Sequence, residues 1–168
     1  WNIPEYAHLP LLHGIDGKKL SKRHGAVDIN ELKKIGYLPN SIINNLILLG
    51  WSPKKSDEII NINEIIEIFN IDEMSKSSSI FDYNKLNYFN NNYLKKDENY
   101  KCFENYARNN NIIKHLLEED KIKVKKIFEI YKKNINTYSD MEKITKIYFD
   151  KNFKAIIRNK FDKNFDFI

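Results

Sequence analysis

Cysteine is almost missing from this 168-residue chain: Cys102 stands alone, which excludes an internal disulfide and leaves no thiolate cluster for a metal. It reads as a small residue on a helix face rather than a nucleophile. No uninterrupted apolar run approaches the length of a membrane span. No signal-peptide pattern follows Trp1, and no alternating strand pattern of useful length occurs beyond residue 14. Hydrophobic residues make up 42% and mean hydropathy is −0.60, the balance of a soluble globular protein. The length suits one domain or two small ones, enough to bury a core. A net charge of +5 fits a polyanionic partner, although lysine beside abundant Asn and Ile is also the imprint of an AT-rich genome.

What is present is concentrated between His8 and Gly25. A short apolar, strand-like run, Leu9 to Leu12, leads into a loop punctuated by Gly14, Gly17 and Gly25. That loop carries Lys18, Lys19, Lys22, Arg23 and, when protonated, His24. Lys19-Leu20-Ser21-Lys22 sets two ammonium groups three residues apart, with backbone N–H donors and a hydroxyl between them. Such a loop can grip a polyphosphate whose charge grows in a transition state, the requirement of an ATP-phosphate clamp.

Lys19-Leu20-Ser21-Lys22-Arg23 resembles the second signature of class I aminoacyl-tRNA synthetases, whose consensus is Lys-Met-Ser-Lys-Ser. Leading His8-Leu9-Pro10 and trailing His24-Gly25-Ala26 narrow the resemblance to glutamyl-tRNA synthetases of bacterial type. Gly36-Tyr37-Leu38-Pro39, Leu48-Leu49-Gly50-Trp51-Ser52-Pro53, Phe81-Asp82 with Lys85-Leu86, and Asn90 followed by Tyr93 continue it in order and spacing. The likeness is strong over residues 1–94 and thins to a helical pattern afterwards. The family's first signature, a His-x-Gly-His element, does not occur ahead of the loop, and full members are well over twice as long. The chain is therefore expected to be an internal or C-terminal-side piece of such an enzyme.

The punctuation beyond the loop predicts a mostly α chain with a small β remnant at its beginning. Asp28 with Glu31 fits a helix start, Gly36 a left-handed stop, and Pro39 the first turn of the next helix. That second helix is expected to present Ile42, Ile43, Leu46, Ile47 and Leu49 until Gly50 ends it. Asn61 and Glu64 cap a helix with Ile65, Ile66, Ile68 and Phe69, and Asp82 caps a short one with Leu86 and Phe89 inside and Lys85 on its solvated side. Three or four amphipathic helices follow Asp97. Ile112, Ile113, Leu116 and Leu117 line one stripe, and Val124, Ile127, Phe128 and Tyr131 the next. A last helix, started by Thr137 with Asp140 or by Ser139 with Glu142, is expected to bury Met141, Ile144, Ile147 and Tyr148.

By resemblance, residues 1–95 are the end of the catalytic region, with the signature loop and stem-contact helices. Residues 96–168 are an incomplete helical anticodon-binding bundle. The resemblance makes Lys19 and Lys22 the catalytic pair and Lys19, Leu20, Ser21, Lys22 and Arg23 the ATP contacts. Lys22 holds the phosphates and leaving pyrophosphate, Lys19 assists, Leu20 lends backbone groups near the adenine, and Ser21 supports loop geometry. Arg23, Lys76 and Lys85 face tRNA. ATP is a substrate, accompanied by Mg2+; the partners are L-glutamate and tRNA(Glu), for a monomer in bacterial cytoplasm or an organellar matrix or stroma.

Other readings compete with these. His8, His13 and His24 share no ligand face on a strand and a flexible loop, and neither carboxylate nor thiolate joins them, so no metal site is expected. Glu73-Met74-Ser75-Lys76-Ser77 matches the consensus by letters but lacks the first lysine, the flanking glycines and the preceding apolar run. Lys76 there is either a phosphate contact or an exposed turn lysine. Lys121-Ile122-Lys123-Val124-Lys125-Lys126 is either a phosphate-contacting helix or a solvated face. Tyr100, Phe103, Tyr106, Tyr148 and Phe149 have the spacing of core packing rather than base stacking. Alternatives for the whole are a non-catalytic helical tRNA-binding module, a synthetase that attaches glutamate to queuosine in tRNA(Asp), and a glutaminyl-type enzyme.

Overall fold

The computed structural model describes residues 3–4, 6–20, 28–53, 58–96, 99–109 and 113–150. They are mostly helical: β1 (Leu12–His13), α1 (Ile29–Ile35), α2 (Pro39–Ile47), α3 (Ile62–Ile68), a 3₁₀ turn (Ile71–Glu73), β2 (Ser79–Ile80), α4 (Tyr83–Leu94), α5 (Asn99–Asn109), α6 (Lys114–Glu119), α7 (Lys121–Tyr131) and α8 (Tyr138–Phe149). Among the described residues no helix is long and apolar enough to cross a membrane. The chain forms two compact units, one of residues 1–29 and 39–89, the other of 30–38 and 90–168.

In the first unit β1 and β2 pair in parallel, Leu12 opposite Ser79 and His13 opposite Ile80. The apolar run before the loop thus becomes strand only at its end, with Leu9 and Leu11 exposed. β2 has no counterpart in the sequence reading, because two residues cannot show a period of two. Asn61 caps α3 by accepting the Asn63 N–H at 3.0 Å. Trp51, Ile60 and Ile65 form the core, with Ile47, Leu48 and Met74 packed against it. The expected apolar face of α2 is only partly buried: Ile42 is inside, but Ile43 and Leu46 are exposed while Ser41, Asn44 and Asn45 are buried. Asn44 explains the inversion. Its Oδ1 accepts the Ile60 N–H at 3.0 Å and its Nδ2 donates to the Glu58 carbonyl at 2.8 Å, so an irregular segment is stitched to α2 by a buried amide.

The second unit is built on aromatic packing. Phe103 and Phe128 stack at 5.2 Å and are fully buried, with Tyr100 edge-on to Phe128 at 5.5 Å. Ile113, Leu116 and Leu117 of one stripe and Val124, Ile127 and Phe128 of the next are buried as expected; Ile112 lies outside the described residues. Asp120 caps α7 by accepting the Lys123 N–H at 2.8 Å. Thr137 and Asp140 form the reciprocal capping box of α8. That helix buries Tyr138, Met141, Glu142 and Thr145, whereas Ile147 is 43% exposed. The inward stripe therefore passes beside Ile147. Thr145 gives its hydroxyl to the Met141 carbonyl at 2.8 Å, and Glu142 takes Lys146 at 2.7 Å, which makes burial of both polar residues affordable.

Gly36 ends α1 with φ +92, and a Cβ there would lie 2.5 Å from the Tyr138 Cβ. Gly17 has φ +74, but nothing lies within 4 Å of where its Cβ would stand. Gly17→Ala is expected to cost about 1 kcal/mol, the left-handed backbone alone. Gly36→Ala should exceed about 2 kcal/mol, because overpacking against Tyr138 adds to that strain. Urea unfolding midpoints of the two variants check the difference.

Burial, joined by the Glu104 carboxylate, pushes the Tyr100 phenol up from 10.0 to about 12, and burial with Glu142 and Asp140 does the same to Tyr106. The native state holds these protons longer than the unfolded chain. Their contribution to stability is therefore complete below about pH 10 and is lost as pH rises from there through 12. Melting temperature should stay level with respect to these groups up to pH 10 and fall above it; Tyr100→Phe should weaken the alkaline fall.

Candidate functional site

The site begins at the hairpin that carries the first signature lysine. The N–H of Gly14 donates to the Lys18 carbonyl at 2.9 Å, that of Gly17 to the Gly14 carbonyl at 3.0 Å, and that of Lys18 to Asp16 Oδ1 at 3.1 Å. Lys19 then bridges back to His13, and the Leu20 N–H donates to the Leu12 carbonyl at 2.8 Å. The left-handed Gly17 makes this reversal possible. Strand β1, itself fixed by the Phe81 N–H on the His13 carbonyl at 2.8 Å, thus presents an exposed Lys19 at a defined place. Ser21, Lys22 and Arg23, like His24 and Gly25, lie outside the described residues.

Lys76 is exposed and makes no ion pair among the described residues. It lines a cleft of about 450 Å³ with His8, Pro10, Asp72, Met74 and Ser75. Around it the consensus-like letters serve the turn itself. The Ser75 N–H donates to the Gly50 carbonyl at 2.6 Å, the Ser75 and Ser77 hydroxyls meet at 2.7 Å, and Met74 packs on the Trp51 core.

Lys85 stands on α4, whose first turn is held by Asp82 accepting the Asn84 N–H at 2.7 Å. Its ammonium pairs with Glu58 at 2.8 Å and lies 5.8 Å from the Phe89 ring centre. Nothing in the sequence signals Glu58, which is 27 residues away and reaches Lys85 because Asn44 holds its backbone.

Three lysines of α7 have partners in the second unit. Lys121 pairs with Glu104 at 2.8 Å, Lys123 lies 4.4 Å from the Phe149 ring and Lys125 5.7 Å from that of Tyr100. The Lys121 and Arg108 bonds hold the Glu104 carboxyl below its usual range. Tyr100 and Phe103 pack in the core, as their spacing predicts. Among the described residues no three His, Cys, Asp or Glu side chains gather to hold a metal.

Residues 1–88 match the family described as tRNA synthetases class I (E and Q), catalytic domain, and the chain belongs to that family. Within it the similarities are to glutamate–tRNA ligases. The chain is 48% identical over 104 residues to that of Borrelia duttonii, covering 62% of this chain and 21% of the relative. It is 35% identical over 154 residues to that of Borreliella burgdorferi, covering 89% and 31%. The crystal structure of glutamate–tRNA synthetase from Elizabethkingia anophelis matches with TM-score 0.69 and 29% identity, over 88% of this chain and 33% of that one. A glutamate tRNA ligase from Elizabethkingia meningosepticum, solved with its amino acid, matches with TM-score 0.68 over the same shares. The chain thus spans between a fifth and a third of the length of the curated relatives described here.

The two groups that place Lys85 should differ sharply in energetic weight. Asn44→Ala strands the buried Ile60 N–H and the part-buried Glu58 carbonyl and is expected to cost about 2 kcal/mol. Glu58→Gln removes a half-exposed ion pair and should change stability by less than about 1 kcal/mol. Chemical denaturation of both variants gives the comparison.

Proposed function

We propose that this chain is the signature-loop and helical portion of an enzyme that joins glutamate to tRNA(Glu) at the expense of ATP. The observation that carries the reading is Lys19-Leu20-Ser21-Lys22-Arg23 leaving a pinned hairpin, in a chain of the class I E and Q family. In the first step a glutamate carboxylate oxygen attacks the α-phosphorus of ATP. The bond to the bridging oxygen breaks, giving glutamyl-adenylate and pyrophosphate. In the second, the terminal ribose hydroxyl of the tRNA takes the glutamyl group and AMP leaves.

The Lys22 ammonium holds the β- and γ-phosphates and stabilises the charge that gathers on the departing pyrophosphate. Lys19 assists from the hairpin end. Leu20 has already committed its N–H to Leu12, so its carbonyl and side chain are what it offers the nucleotide. Ser21 supports the loop through hydroxyl-to-backbone bonds. Mg2+ accompanying ATP would add positive charge beside that of Lys19 and Lys22 where pyrophosphate leaves.

Residues 1–95 then complete the catalytic region and residues 96–168 begin the anticodon-binding bundle of a monomeric enzyme. Arg23, Lys76 and Lys85 meet tRNA phosphates. Lys76 is available as it stands, whereas a phosphate at Lys85 must displace Glu58. The partnered lysines of α7 favour an intramolecular role for that basic run.

The test uses the product of the complete gene with purified tRNAs for Glu, Gln and Asp. Glutamate charging of tRNA(Glu) is expected, with Lys22→Ala losing adenylate formation by at least about 100-fold while retaining tRNA affinity. Equal charging by variant and wild type refutes the role of Lys22. Failure with all three tRNAs refutes the ligase reading.

A further inference from the structure

Glu58 and Lys85 both belong to the first unit, and in each the backbone is anchored while the charged tip is not. The Glu58 carbonyl accepts Asn44 Nδ2 at 2.8 Å. Two residues on, Ile60 is buried with its N–H on Asn44 Oδ1 at 3.0 Å. On α4, Lys85 is followed by Leu86 and, one turn later, by Phe89, both fully buried. The two side chains themselves are 41% exposed at Lys85 and 54% at Glu58. Their 2.8 Å contact can therefore open and close by side-chain rotation in water, with neither carrier unfolding. An exposed pair of this kind is weak enough to be exchanged for another anion.

The carboxylate oxygen of Glu58 takes one of the three donors of the Lys85 ammonium, at the distance a phosphate oxygen would adopt. Lys76 has no such carboxylate: it makes no ion pair among the described residues. An RNA phosphate arriving at Lys85 gains an ammonium but frees a carboxylate beside itself. Lys85 and Glu58 together carry no net charge, so the contact neutralises less RNA charge than a lone lysine does.

We propose that Glu58 is a placeholder for a tRNA phosphate. Its carboxylate holds the Lys85 ammonium while RNA is away and competes for it when RNA is bound. Affinity for tRNA is thereby set below what the lysine alone would give. Release of the charged tRNA is helped in turn, because the carboxylate returns as the phosphate leaves. The inference deepens the ligase reading and rests on it, through the contact between Lys85 and tRNA.

Dissociation constants for tRNA(Glu) are measured at several salt concentrations on the complete gene product, on Glu58→Gln, on Lys85→Met and on the double variant. Glu58→Gln is expected to bind about two- to fivefold more tightly, the range an exposed ion pair spans. Its logarithmic salt dependence should steepen by up to about 0.9, one further phosphate neutralised. The gain should be larger with Lys85 present than in the Lys85→Met background. Unchanged or weaker binding by Glu58→Gln overturns the placeholder. An equal gain in both backgrounds also overturns it, since repulsion between Glu58 and RNA then accounts for the whole effect. If Lys85→Met costs no affinity once Glu58 is Gln, Lys85 meets no phosphate and the inference falls, while glutamate charging by the wild type keeps the ligase reading. A wild type that charges no tRNA removes that reading, and this inference with it.

Discussion

The side chain of Asn90 is the constraint on which the second unit's connectivity depends. It is completely buried, its oxygen takes the Leu38 N–H, and its nitrogen gives a hydrogen to the Asn136 carbonyl. Next to it, Asn91 donates to the carbonyls of Ile135 and Lys133. Two segments remote in sequence, residues 37–38 and 133–136, meet on adjacent residues of α4. Both are irregular backbone whose polar groups have no ladder or helix to satisfy them. An amide buried with both ends paired is inexpensive, and the same amide with one end unpaired is not. That asymmetry explains why residues 30–38 fold with a helical bundle more than fifty residues downstream.

The first unit repeats the device on a smaller scale. Asn44 fastens residues 58–60 to α2, and this places Glu58 beside Lys85. Around the signature hairpin the stabilising groups are backbone groups instead, so Lys19 is left exposed while its neighbours are held. Charge is distributed with the same economy. The lysines that face glutamates or aromatic rings contribute to packing, and Lys76 lines a cleft with no acidic side chain paired to it among the described residues.

Much of the helical order could be read in advance because capping is local chemistry. Asn61 and the Thr137–Asp140 box act within three residues, and the left-handed stop at Gly36 is a single-residue property. Apolar stripes were legible where a helix faces apolar neighbours, as in α6 and α7. They failed where a polar side chain finds its partner inside. On α2 Asn44 is buried against the backbone of residues 58–60, and on α8 Thr145 and Glu142 are buried with partners on their own helix while Ile147 is outside. The strand β2 escaped because its pairing with β1 spans sixty-seven positions and only two residues.

The amino-acid sequence by itself determined the class I signature, the starts and stops of most helices and the aromatic core of the later residues. Each depends on residue type at short spacing. Tertiary structure alone decided that α1 joins the bundle rather than the unit containing the hairpin it follows. It also decided that Lys85 has a carboxylate partner, that the lysines of α7 are largely committed, and that Gly36 must remain glycine for lack of space as well as for its backbone angle. These outcomes depend on which groups meet across long separations, and hydrogen-bond geometry and close packing settle that only once the chain has folded.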